Sequence, residues 1–101
     1  MAVTLKITTT KPENTEWYGR SSPEAAVLFL QLEAWMETLT GFLGYKQQII
    51  DSNTRTQELK FDSLANYQTY LETRVTNAAW KARSDYNLAN GTTFVVEEII
   101  D

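Results

Sequence analysis

Gly41-Phe42-Leu43-Gly44-Tyr45 joins a strongly apolar helical stretch to a pattern that reads as a β-hairpin. Upstream, Ser21-Ser22-Pro23-Glu24 is a helix start, with a hydroxyl to accept orphan amide bonds, a proline near the first helical position and an acid at the positive end of the dipole. From there Ala25, Leu28, Leu32, Trp35 and Leu39 keep the spacing of one buried face, which carries the helix to about Thr40. Val27, Phe29, Leu30, Ala34 and Met36 widen that face, so something besides the protein's own sheet is expected to cover it. Downstream, Tyr45 to Ile50 and Thr54 to Phe61 flank Asp51-Ser52-Asn53, a cluster of turn formers, and make the hairpin. Gly41 and Gly44 suit the positive φ of a helix stop and the turn that follows.

Outward from this junction, Val3, Leu5 and Ile7 alternate with polar residues as a half-buried first strand. Thr10 to Ser22 reads as a long loop. Asp62-Ser63 opens a second helical region, in which Leu64, Tyr67 and Leu71 keep helical spacing up to Thr73. A break or kink falls near residues 73–76, after which Val75, Ala79, Ala82, Tyr86 and Ala89 resume the period. Asn90-Gly91 stops the helix, and Thr92 to Ile100 is a last strand. The order β-α-β-β-α-β with right-handed crossovers gives an α+β, ferredoxin-like fold over residues 1–101: a four-stranded antiparallel sheet with helices on one face. A bare second face predicts a homodimer, although Thr4, Lys6 and Thr8 make that face mixed and partly wet.

Composition narrows the chemistry. The 101 residues fit one domain that buries roughly 65% of its unfolded surface. With neither Cys nor His, the chain itself supplies no disulfide, thiolate or imidazole metal ligand, and no Cys or Ser/His nucleophile. Asp51, Asn53 and Asp62 lack the spacing of a calcium loop, so neither a metal nor another cofactor is expected. A net charge of −4, with Lys and Arg scattered singly, speaks against nucleic acid. The longest apolar run, Ala25 to Leu30, is too short to span a membrane, and the N-terminus lacks the pattern of a targeting signal. The expected location is the cytoplasm, the host's for a viral protein.

Gly41-Phe42-Leu43-Gly44-Tyr45, the hairpin, and Leu59-Lys60-Phe61-Asp62-Ser63 leading into Tyr67 and Tyr70-Leu71-Glu72 together resemble the antibiotic-biosynthesis-monooxygenase type of dimeric α+β barrel. The resemblance covers nearly the whole chain through short motifs that mostly serve the fold. Arg83-Ser84-Asp85-Tyr86-Asn87 with Asn90-Gly91 also resembles small proteins of this architecture carried by marine phages. Haem-degrading members of the superfamily carry an aromatic residue ten positions before a haem-ligating His. The matching positions here are Tyr70 and Trp80, so the ligand is missing and haem degradation by that route is not implied. The cofactor-independent oxygenases of the superfamily imply polyaromatic phenols as substrates, oriented by Asn, Trp and Tyr side chains; Asn66, Tyr67, Tyr70, Trp35 and Trp80 are the matching types here.

Each candidate also has a plain packing role. Trp35 and Tyr86 sit on core series and read as packing residues. Trp80 falls off its helix's series and either lines a cleft or caps the core edge. Trp17-Tyr18, in a loop that needs neither ring for its turns, folds back on the protein's own core, packs on a dimer mate, or clamps a ligand. Glu97 and Glu98 alternate to opposite faces of the last strand and form no dyad with each other. No motif assembles a nucleophile, a base and an oxyanion site. The leading expectation is therefore a homodimeric, non-enzymatic interaction or small-ligand-binding protein with an apolar or aromatic ligand; the alternative is a cofactor-independent monooxygenase acting on an aromatic substrate. The two part at the helix-sheet interface, where an enzyme of this kind needs an apolar cavity of roughly 300 Å³ or more with an inward polar group.

Overall fold

The computed structural model describes residues 1–101, in which β1 (Val3–Thr10) is followed by a short turn of helix α1 (Tyr18–Ser21) and by α2 (Pro23–Glu37). Next come the hairpin strands β2 (Phe42–Asp51) and β3 (Thr54–Phe61), then α3 (Leu64–Arg74), α4 (Ala78–Ala89) and β4 (Thr93–Ile100). All neighbours in the four-stranded sheet are antiparallel, in the order β2-β3-β1-β4. Sequence neighbours β1 and β2 are thus separated by β3, as two helical crossovers over one face require.

The alternation of β1 and β3 sets the core. Val3 pairs with Phe61 and Leu5 with Leu59, so their inward side chains form one apolar layer, which Tyr67 and Tyr70 of α3 complete. Phe61 is fully buried, with its ring 5.2 Å from Tyr70, 5.8 Å from Tyr67 and 5.6 Å from Phe42. Such a ring concentrates much of a small core's apolar burial in one residue, and its truncation costs about 3–5 kcal/mol.

The junction that opens the hairpin is locked from both sides. Gly41 has φ 78°, and a Cβ there would collide with the Asp62 carboxylate and the Asn66 amide. Its carbonyl accepts from Asp62 N at 2.9 Å, so the glycine turn and the start of α3 are one unit. At the hairpin's far end Asp51 Oδ1 accepts from Asn53 N at 2.8 Å, and Lys11 Nζ reaches Asn53 Oδ1 at 3.0 Å.

Three features depart from the sequence expectation or sharpen it. The apolar helix α2 ends at Glu37 and not near Thr40, because Thr38 N and Leu39 N bond three residues back, to Trp35 O and Met36 O, and tighten the last turn. The break at 73–76 is complete: α3 ends at Arg74, and Asn77 Oδ1 starts α4 afresh by accepting from Trp80 N at 2.9 Å. Val75 consequently leaves the helical stripe and is exposed. Finally, the loop after β1 holds α1, whose Tyr18 ring packs 5.4 Å from Tyr86. Four residues are too few to show a period.

Away from the helices the sheet carries a row of alternating charge. Lys46 of β2 stands opposite Glu58 of β3, Glu58 opposite Lys6 of β1, and Lys6 opposite Glu97 of β4. Uncovered apolar surface lies instead on the two edge strands, on β4, where Phe94, Val95, Val96, Ile99 and Ile100 are all exposed, and on β2, where Leu43, Ile49 and Ile50 are, and also on α2, where Val27 and Leu30 are. No helix is long and apolar enough to cross a membrane.

Candidate functional site

Because α3 breaks from α4, the two do not seal the sheet, and a cleft of about 240 Å³ opens between α2, α4 and the strands. Leu32 and Met36 of α2 form one wall, Ile7 and Leu59 the floor, and Tyr70, Trp80 and Phe94 supply aromatic sides. A second cavity of about 190 Å³ adjoins it towards β2 and shares Leu32, Met36, Tyr45, Gln57 and Arg83 with the first. The helix-sheet interface is therefore not packed solid.

The polar groups of the cleft converge on Gln57. Alternation with Leu59 and Phe61 places this residue on the inward face of β3, where it is buried. Its Oε1 accepts from Arg83 Nη2 at 3.0 Å, and its Nε2 donates to Tyr45 OH at 3.2 Å. Tyr45 OH in turn donates to Gln47 Oε1 at 2.6 Å. Burial pushes the Tyr45 hydroxyl above its ordinary pKa, and it lowers that of the Arg83 guanidinium. Arg83 nonetheless stays cationic near neutral pH. Arg74, at the end of α3, lies between two rings of the cleft, 5.5 Å from Tyr70 and 4.9 Å from Trp80. Its buried Nε has no hydrogen-bond partner.

The residues singled out from sequence fall in three places. Tyr70 and Trp80 line the main cleft, with Trp35 6.1 Å behind Tyr70 as support. Tyr67 borders a further cavity of about 220 Å³ beside β4, with Ile7, Arg74 and Val96 shared with the main cleft. There Tyr67 OH donates to Glu98, and burial followed by that carboxylate pushes its pKa well up. Asn66 takes no part, since its amide donates to Asp62 Oδ1 at 2.8 Å in the glycine turn. Trp17 and Tyr18 lie apart, with Trp17 4.1 Å from the Arg55 guanidinium and Tyr18 buried against Tyr86. The pocket beside that pair is only about 30 Å³, room for a water or two and no organic ligand.

Gln57, Arg74 and Arg83 are not among the residues that the sequence singles out. The available signal was positional: Gln57 holds an inward strand position, and Arg83 falls midway between Ala79 and Asn87, the buried residues of α4.

Solved structures share this architecture across the chain. The chain aligns with SnoaB, a cofactor-independent oxygenase from Streptomyces nogalater, with a TM-score of 0.66 at 13% identity over 99% of this chain and 92% of that one. The fold is ferredoxin-like. A dimeric protein of unknown function with a ferredoxin-like fold from Bacteroides fragilis aligns at TM-score 0.58 and 11% identity, over 99% of this chain and 96% of that one. A dabb family protein with a ferredoxin-like fold from Mesorhizobium loti aligns at 0.53 and 12%, over 98% and 97%. These ferredoxin-like neighbours are bacterial and lend no support to the resemblance to phage proteins. No family model and no curated protein matches the chain. At such identities the likeness is one of fold.

Proposed function

We propose that the protein is a homodimeric, non-enzymatic binding protein that holds a small aromatic molecule in the cleft beside Tyr70 and Trp80. The observation that carries this reading is the 240 Å³ cavity itself, with aromatic sides and an inward guanidinium where a tightly packed core would have none. No Asp or Glu lines it, so it holds no carboxylate base for a proton to move to. The dimer rests on β4: five exposed apolar residues on the two faces of one edge strand form a surface that monomers seldom leave uncovered.

The test is titration calorimetry with naphthalene derivatives, neutral and charged, against the wild type and Ser84→Phe. Ser84 lines the cleft from α4, and a ring there fills it. Binding lost in Ser84→Phe supports the reading, and equal binding in both proteins refutes it.

A second reading, a cofactor-independent oxygenase on a polyaromatic phenol, draws on the fold shared with SnoaB and on the second cavity that enlarges the first. Consumption of O₂ with such a phenol, abolished in Ser84→Phe, would replace the binding reading with this one.

A further inference from the structure

The charge of the cleft is at odds with the charge of the chain. The protein carries 13 acidic and 9 basic residues, yet two of its arginines, Arg74 and Arg83, line the main cavity and no carboxylate does. Glu33 and Glu37 line the adjoining cavity, which Arg83 also borders, and Glu98 lines the cavity beside β4, which Arg74 also borders, yet neither guanidinium hydrogen-bonds to any of them. The guanidinium of Arg83 makes one hydrogen bond, to a neutral amide oxygen. The groups that bear on its charge from around it are Tyr70, Tyr45 and Arg74, none of them a carboxylate.

A half-buried cation is normally paired, because taking it partly out of water costs free energy that a neutral amide does not return. A guanidinium offers five N–H donors in a planar fork, the geometry that accepts a carboxylate bidentately. In Arg83 one such bond is made and the rest of the fork is left over. Arg74 adds a second positive charge at the same cavity, held by ring contacts with Tyr70 and Trp80 and by no acid. The walls are apolar and aromatic, and the volume lies below the roughly 300–1,000 Å³ of drug-sized sites. A ligand of one or two rings fits that space.

We infer that the cleft is a receptor for a compact aromatic carboxylate, whose carboxylate completes the guanidinium fork of Arg83 while its ring lies among Tyr70, Trp80 and Phe94. This inference rests on the binding reading above and specifies its ligand. A polyaromatic phenol without an acid group would leave the charge of Arg83 unmatched.

The experiment compares 2-naphthoate with 2-naphthamide, which has the same rings and nearly the same shape but no charge, by titration calorimetry at neutral pH and low salt. The acid is expected to bind at least about tenfold more tightly than the amide to the wild type, as fits a charge-assisted pair. Arg83→Gln is expected to erase that difference while leaving amide binding in place, and Arg83→Lys to restore part of it. Equal binding of acid and amide to the wild type overturns the carboxylate inference and leaves the cleft reading standing. Binding of neither compound overturns both. Acid and amide are compared on the unaltered protein, so the outcome does not depend on the folding of any variant.

Discussion

Gln57 and Arg83 meet across the helix-sheet interface, the guanidinium Nη2 donating to the amide oxygen at 3.0 Å. The bond ties α4 to β3 where the main cleft holds the two layers apart. Because the amide is neutral, it orients the cation without neutralising it. A partly buried cation held by a neutral partner costs stability.

Replacing that cation with an apolar side chain should therefore stabilise the protein. Arg83→Met is expected to raise unfolding stability by on the order of 1 kcal/mol, a Tm increase of about 4–8 °C for a chain of this size. Thermal unfolding by circular dichroism reads the change, and a fall in Tm would mean that Arg83 is already compensated.

The glycine turn makes the opposite prediction. Gly41→Ala forces a side chain into left-handed backbone and against Asp62 and Asn66. A loss of about 2–4 kcal/mol follows, read from the urea midpoint. A variant as stable as the wild type would show that the turn relaxes freely and does not lock β2 to α3.

Alkaline pH tests the buried Tyr67. Its pKa in the folded protein is raised above the ordinary 10.0, by burial first and then by Glu98. The unfolded chain thus releases this proton at lower pH than the folded one. The contribution is fully present below about pH 10 and is lost as pH rises towards the folded value. Stability should fall as pH rises above about 10, and less steeply in Tyr67→Phe. Equal slopes for the two proteins would show that Tyr67 has no part in the alkaline loss.

The β4 surface predicts the oligomeric state. Sedimentation equilibrium at micromolar concentration should give twice the chain mass, and Val95→Lys with Ile99→Lys should raise the dimer dissociation constant at least about tenfold. A monomeric wild type would contradict the dimer proposal.

The regular elements were legible because each long segment carries its own period. Val3-Leu5-Ile7 reads as a strand, Ala25 to Leu39 as a helix, and the lapse of the helical series near residues 73–76 marks where α3 and α4 part. Short-range chemistry was less visible: α1 is one turn long, and Thr38 and Leu39 look helical in pattern although their amides bond three residues back. At the candidate site, Trp80 falls off the core series of its helix and lies at the cleft together with Tyr70. Arg83 and Gln57 were not legible, since a polar residue at an inward position acquires its meaning only when two distant elements bring it opposite another. Asn66 shows the converse, a residue of the right type whose amide belongs to the turn beside it.

If a small aromatic ligand enters the cleft at Trp80, the three tryptophans of the chain report on it directly. In ¹⁵N-labelled protein titrated with 2-naphthoate, the indole N–H of Trp80 is predicted to shift most and that of Trp17 to stay in place, because Trp17 caps Arg55 away from the cleft. Movement of Trp17 with Trp80 unmoved, or no movement of any indole, would rule out the cleft as the place where the ligand binds.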